Sequence, residues 1–182
     1  MEEIKRILVI GCCGTGKSTF SKKTGILKNI EVYHLDKLYH SSGWTPKPKE
    51  EWIKIVKELS SKDKWIMDGN YSGTLKLRAE RAQQIYFFDF PSLFCTMRVV
   101  RRAFKSKLGI EKRVDLPENC HERWFDWEFV KYTYNFNRDN LPRIMKILEE
   151  MKFDKNKITM FNKTKQSNEY LNKLKLNLEH SN

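Results

Sequence analysis

Residues 11–18 read GCCGTGKS, filling the pattern Gly-x-x-x-x-Gly-Lys-[Ser/Thr]. With ordinary residue frequencies a chance match in a chain this long has odds of roughly one in 150. The apolar run Ile7 to Ile10 leads straight into Gly11, and residues 17–27 carry a helix-compatible pattern, so the loop joins a strand to a helix. Gly11, Gly14 and Gly16 let the backbone curl so that its N–H groups point inward at a phosphate. The helix behind them adds its positive end. In such a loop Lys17 reaches the β and γ phosphates and the Ser18 hydroxyl takes Mg²⁺. Cys12, Cys13, Thr15 and Thr19 complete the nucleotide-binding segment, the cysteines as small tolerated side chains at its variable positions.

The rest of the chain alternates short apolar runs with helical periodicity. Candidate strands are 6–10, 31–35, 65–68, 85–89 and 158–161. Trp52, Ile55, Val56 and Leu59 recur at helical spacing, as do Ile144, Ile147, Leu148 and Met151 behind Pro142. Leu171, Leu174 and Leu178 mark a last amphipathic helix. The aromatics of 124–136, with Phe125, Phe129, Tyr132 and Phe136 on one helical face, read as core. This alternation predicts an α/β fold of three layers, a five-stranded parallel sheet with helices on both faces. Ligands then gather at the C-terminal ends of the strands. Two segments, 40–49 and 108–121, read as irregular.

Of 182 residues, 35 are Lys or Arg and 23 Asp or Glu, a formal net charge of +12. That excess favours anionic partners, a nucleotide or a nucleic acid. It is locally concentrated: 98–113 holds seven basic residues and one acidic one. Ile7 to Ile10 is too short for a signal core or a membrane span. None of the four cysteines forms a Cys-x-x-Cys pair, and Cys120-His121 is a lone neighbour pair. A reduced, cytoplasmic protein is expected, as a monomer or a homodimer and without a membrane partner.

A guanine-binding GTPase would carry Asn-Lys-x-Asp. Residues 162–165 read Asn-Lys-Thr-Lys, and Asp68 is followed three residues on by Tyr71 rather than Gly. ATP is therefore the expected nucleotide. Strand two ends in His34-Leu35-Asp36, strand three in Asp68-Gly69-Asn70-Tyr71 and strand four in Phe88-Asp89. Arg98 and Arg102 follow, four apart and so on one helix face.

In these motifs the chain resembles the nucleoside and nucleotide monophosphate kinases, the group of adenylate kinase and shikimate kinase. Segments 33–44, 48–52, 68–82 and 87–91 give a nearer resemblance to a bacterial group called topology modulation proteins, which look like small adenylate kinase relatives. The resemblance implies a single P-loop kinase-like domain over 1–182, with an acceptor-side segment at about 36–62 and a helical lid at about 104–123. It implies γ-phosphoryl transfer from Mg·ATP to a small acceptor, a nucleotide or nucleoside. Arg98 would lie near adenine and Arg102 would clamp the phosphates. Arg138, with Arg113 and Arg123, would close from the lid side. Asp36, Asp68, Gly69, Asn70, Tyr71 and Arg78 would face the acceptor. Ser18, with Asp68 and Asp89 through water, would hold Mg²⁺. Adenylate kinases have Asp-Gly-Phe-Pro-Arg after strand three, where this chain has Asn70 and Tyr71, so the acceptor stays open.

Bland alternatives stand beside these roles. Asp36 suits a helix N-cap. His34 suits a satisfied strand position. Tyr39, Trp44 and Tyr71 suit packing as well as stacking on a base. The Arg98–Arg102 pair suits a solvated basic face, which would favour an ATP-dependent nucleic-acid-binding protein. The two classes differ in one geometric respect: the kinase turns these arginines toward the P-loop, and the nucleic-acid binder exposes them away from it.

Overall fold

The apolar run ahead of the glycine-rich loop becomes the central strand of a parallel sheet. The computed structural model describes residues 3–108 and 126–180. Strand β1 (Arg6–Gly11) feeds helix α1 (Lys17–Lys28), and β2 (Val32–His34) feeds the short α2 (Leu35–Tyr39). A two-stranded ribbon follows, β3 (His40–Ser41) and β4 (Thr45–Pro46), bridged by a 3₁₀ turn. Then come α3 (Lys49–Ser61), β5 (Trp65–Asp68), α4 (Ser72–Ala79), β6 (Gln84–Phe88) and α5 (Ser92–Lys107). After the undescribed stretch lie α6 (Trp127–Tyr134), α7 (Phe136–Asp139), α8 (Leu141–Glu150), β7 (Ile158–Phe161) and α9 (Thr164–Glu179).

The five long strands are all parallel, in the order β2-β5-β1-β6-β7. The fold is the three-layer α/β arrangement that the alternation predicts. Ile7, Leu8, Val9 and Ile10 are fully buried, as continuous apolar runs in a sheet covered on both faces must be. Phe20 of α1 meets Tyr86, Phe88, Phe161 and Tyr170 at ring distances of 5.0 to 6.1 Å. Tyr86 and Phe88 therefore face the α1–α9 layer. By strand alternation Ile85 and Phe87 face the other, where α3, α4, α7 and α8 pack in series. Burying a side chain such as Phe20 contributes about 1.5–3 kcal/mol.

The periodic segments land as their spacing predicts. Trp52 and Val56 of α3, and Ile144 and Leu148 of α8, are buried. Helix α1 stops where Asn29 turns left-handed, at φ 52°, and its N–H returns to the last carbonyls.

Four local expectations change. Strand two is shorter, because Leu35 already opens α2. Segment 40–49 is partly ordered as the ribbon, which also carries Lys47 N–H to Tyr39 O at 2.9 Å. Strand four is shifted by one residue, so Asp89 lies beyond its end. The aromatics of 124–136 are not all core: Trp127 is 65% and Tyr134 57% exposed, and Phe136 is buried. Helix α6 packs on α5 and α7 rather than on the sheet, so only one of its faces is covered. Of the expected lid, 104–107 is the last turn of α5. Positions 109–123, including Arg113, Cys120, His121 and Arg123, lie outside the described residues.

Candidate active site

Strand order brings the site together. β1 lies between β5 and β6; the chain leaves β1 toward β2 on one side and leaves β6 toward β7 on the other, so a crevice opens between their C-terminal ends. Gly11 has φ 131°, and a Cβ there would sit 2.2 Å from the Phe88 carbonyl oxygen. The loop can hug β6 only with glycine at this place. Cys12 N–H then donates to Phe88 O at 3.3 Å. Gly14 comes as close to α5: its Cβ would meet Cys95 O at 2.8 Å.

The Cys12 carbonyl is a node inside the loop. Thr15 Oγ1 donates to it at 2.9 Å and Lys17 Nζ at 2.6 Å. The Cys12 thiol is buried and donates to Thr133 O at 3.7 Å. The neighbouring Cys95 thiol, and then burial, push it up and keep it protonated. Gly11, Cys12 and Thr15 thus build the back of the loop. Cys13, Gly14, Gly16, Lys17, Ser18 and Thr19 line a cavity of about 880 Å³ in front of it.

Helix α5 supplies the wall on one side. Arg98, Arg101, Arg102 and Lys105, spaced i, i+3, i+4, i+7, all line this cavity. Lys22 of α1 joins them. Arg98 is anchored by Thr164 Oγ1 at 3.3 Å and lies over the Phe94 ring. The two arginines singled out from the sequence therefore turn toward the P-loop. At an effective dielectric of about 20, opposite unit charges 4 Å apart attract by about 4 kcal/mol, so such a wall suits a polyphosphate.

The ends of β2 and β5 supply the opposite side. His34 and Asp68 are cross-strand partners, and His34 Nδ1 lies 2.9 Å from Asp68 Oδ2. Asp36 does not cap α2; it sits in the first turn, and Tyr71 Oη donates to its Oδ1 at 2.8 Å. Burial first, then the Asp36 carboxylate, push the Tyr71 phenol far above its usual range, so it stays a donor. His34, Asp36, Asp68, Gly69, Asn70 and Tyr71 all line the cavity. Asn70 also brackets Gly11: Gly11 N–H donates to its Oδ1 at 2.8 Å, and its Nδ2 donates to Gly11 O at 2.9 Å. Tyr39 packs on Tyr71 and Trp52, and Trp44 on His40, so these rings are a cluster behind Tyr71 rather than part of the wall.

Three predicted site residues are elsewhere. Arg78 is fully buried and does not reach the cavity. Its guanidinium donates to the carbonyls of Gly69 at 3.0 Å, Asn70 at 2.5 Å and Tyr71 at 3.0 Å, because α4 turns it back under the loop. Burial draws it down to about 9, so it is still charged at neutral pH. Arg138 is also absent from the wall; its exposed side chain pairs with the adjacent Asp139 at 2.6 Å. Asp89 is the third: its N–H extends the ladder toward Phe161 O at 2.9 Å, and its half-buried carboxyl, pushed up by burial, does not line the cavity.

Other wall residues went unassigned in the sequence. Lys22, Arg101 and Lys105 were legible from helical spacing beside Ser18 and Arg98. Phe129 and Tyr132 of α6, Arg143 of α8 and Asn140 just ahead of α8 arrive through tertiary packing alone. Tyr132 is 38% exposed. Its hydroxyl reaches inward to Asn70, and burial pushes that phenol up.

Ser18 and Asp68 offer hard oxygen donors, too few to enclose a cation by themselves, as suits Mg²⁺ shared with phosphates. Among the described residues, no group of three or more His, Cys, Asp and Glu side chains could hold a metal ion. No described helix is long and apolar enough to cross a membrane.

No family model matches the chain, and no curated protein matches it either. Solved structures do. Shikimate kinase from Aquifex aeolicus vf5 is 19% identical with a TM-score of 0.49, covering 97% of this chain and 97% of that one. Shikimate kinase from Bacteroides thetaiotaomicron is 15% identical with a TM-score of 0.50, covering 97% of this chain and 99% of that one. At that identity the second likeness speaks to architecture alone: the chain shares the overall fold of that structure over most of its length.

Proposed function

We propose that the protein is a kinase that transfers the γ-phosphoryl group of Mg·ATP to a small acceptor of the nucleoside or nucleotide class. One observation carries this: the P-loop with Lys17, the cationic face of α5, and the Asp36–Asp68 end all line one cavity. Donor and acceptor chemistry thus share a single enclosure. Catalysis rests on positioning and charge neutralisation. Lys17, now folded onto Cys12 O, extends to the transferring phosphoryl group. Arg102 steadies the phosphates and Arg98 the base end. Ser18 and, through water, Asp68 are the groups that would hold Mg²⁺, which when bound neutralises charge on the phosphates. Asp36 and Tyr71 face the acceptor.

The test is a screen of nucleosides, nucleoside monophosphates and small metabolites for acceptor-dependent ADP release. Acceptor-independent hydrolysis alone, or no turnover with ATP bound, would count against the kinase. The other reading is an ATP-dependent nucleic-acid-binding protein, in line with the +12 charge. It predicts strongly salt-dependent DNA binding. The α5 cations favour the kinase, because they face the P-loop cavity. We place the protein in the cytoplasm, where Mg·ATP is supplied, as a monomer or a homodimer.

A further inference from the structure

Two donors share one oxygen inside the P-loop. Thr15 Oγ1 reaches the Cys12 carbonyl at 2.9 Å and Lys17 Nζ reaches it at 2.6 Å. A carbonyl has two lone pairs, so both are taken. Among the described residues no third donor is directed at it. The oxygen is also held in its direction. Cys12 is fully buried, its N–H donates to Phe88 O at 3.3 Å and its thiol to Thr133 O at 3.7 Å. Asn70 brackets Gly11 on one side of it. On the other, Gly14 lies so near α5 that an added Cβ would meet Cys95 O at 2.8 Å. Contacts with β6, α6, α5 and the turn after β5 thus keep the Cys12 carbonyl from swinging out to water.

The two donors differ in where they face. Lys17 lines the cavity, while Thr15 is 1% exposed and does not. A lysine at this place of a P-loop serves the β and γ phosphates, so ATP draws it off Cys12 O. A buried acceptor stripped of its last donor costs its full desolvation. We infer that Thr15 is a positioning residue for ATP binding: its hydroxyl keeps the Cys12 carbonyl satisfied, so that Lys17 can pass from the loop to the phosphates without leaving that oxygen bare. This rests on the ATP-binding part of the kinase reading above. The hydroxyl acts through Cys12 O, from behind the loop, and the lysine acts in front of it.

The experiment measures ATP binding to the intact protein by calorimetry with Mg²⁺ present, and urea unfolding of each variant without nucleotide. Thr15→Val keeps the shape of the side chain and removes its hydroxyl. Without nucleotide Lys17 still serves Cys12 O, so the urea midpoint should stay close to the parent's. With nucleotide the oxygen loses both donors, and ATP should bind at least about tenfold more weakly. Thr15→Ser keeps the hydroxyl and drops the methyl group, and should restore ATP affinity to within about threefold of the parent. A smaller loss than tenfold in Thr15→Val overturns this inference and leaves the kinase standing. So does a loss in Thr15→Ser as large as in Thr15→Val, since the side chain would then act by its shape. A large fall in the Thr15→Val midpoint without nucleotide overturns it as well, since the hydroxyl would then be needed whether or not Lys17 leaves. No ATP binding by the parent overturns the kinase and this inference together.

Discussion

Asn70 holds Gly11 by both of its backbone polar groups, accepting from the N–H at 2.8 Å and donating to the carbonyl at 2.9 Å. The acceptor-side turn and the first residue of the P-loop are thereby one unit. Replacing Asn70 with Ala removes two hydrogen bonds and leaves the buried Gly11 groups without these partners. The expected cost is about 2–3 kcal/mol in urea denaturation and about a tenfold loss of ATP affinity by calorimetry. Unchanged affinity with lowered stability would show that the bracket serves the fold alone.

Two glycines should respond with opposite sign. Gly11→Ala forces a Cβ to 2.2 Å from Phe88 O at a φ of 131°. It should cost on the order of 4 kcal/mol, from steric overlap and backbone strain combined. Gly73, inside α4, has ordinary φ and nothing within 4 Å of its would-be Cβ. Gly73→Ala should therefore stabilise by about 0.4–1 kcal/mol through the unfolded chain. Thermal unfolding of both variants beside the parent decides the matter.

What the sequence shows well is what local patterns encode. β5 and β7 begin and end where their apolar runs do, and α3 and α8 bury the faces their spacing marks. The P-loop is legible because its chemistry sits in eight consecutive residues. Asp89 falls one residue beyond the end of β6, and its carboxyl does not line the cavity, which strand patterning alone does not show. Arg78 and Arg138 carry the right charge, and only tertiary packing shows that one points under the loop and the other at Asp139. Arg143 and Tyr132 reach the cavity because α8 packs on α4 and α6 on α5. No local pattern announces that.

Arg78→Lys should make stability depend on pH near neutrality. The site lowers the arginine from 12.5 to about 9 through burial. The same burial would draw a lysine well down from its ordinary value of about 10.4. A base whose folded value lies below its unfolded value binds fewer protons when folded. Stability should then rise as pH climbs toward about 10, and be lowest at low pH, where the buried charge is fully present. In the parent the corresponding rise begins only above about 9, so its stability should be flat in this respect from pH 7 to 9. Urea midpoints measured at pH 6, 7, 8 and 9 on both proteins test this, and parallel curves would refute it.

Arg102→Ala and Arg138→Ala each remove one positive charge from a chain of net +12, so they alter the overall field equally. They differ in place. Arg102 lines the cavity with the P-loop, while Arg138 is exposed and paired with its neighbour Asp139. For a phosphate clamp, Arg102→Ala should lower kcat/KM by about 100-fold or more, mostly in kcat. Arg138→Ala should leave both constants within about twofold, as exposed ion pairs contribute little. If the protein's work is instead diffuse attraction to nucleic acid, the two variants should weaken DNA binding alike and reduce its salt dependence by similar amounts. Steady-state kinetics and DNA binding at 50 and 200 mM salt on the same two variants therefore separate the two functions, since only position in the cavity distinguishes the mutations.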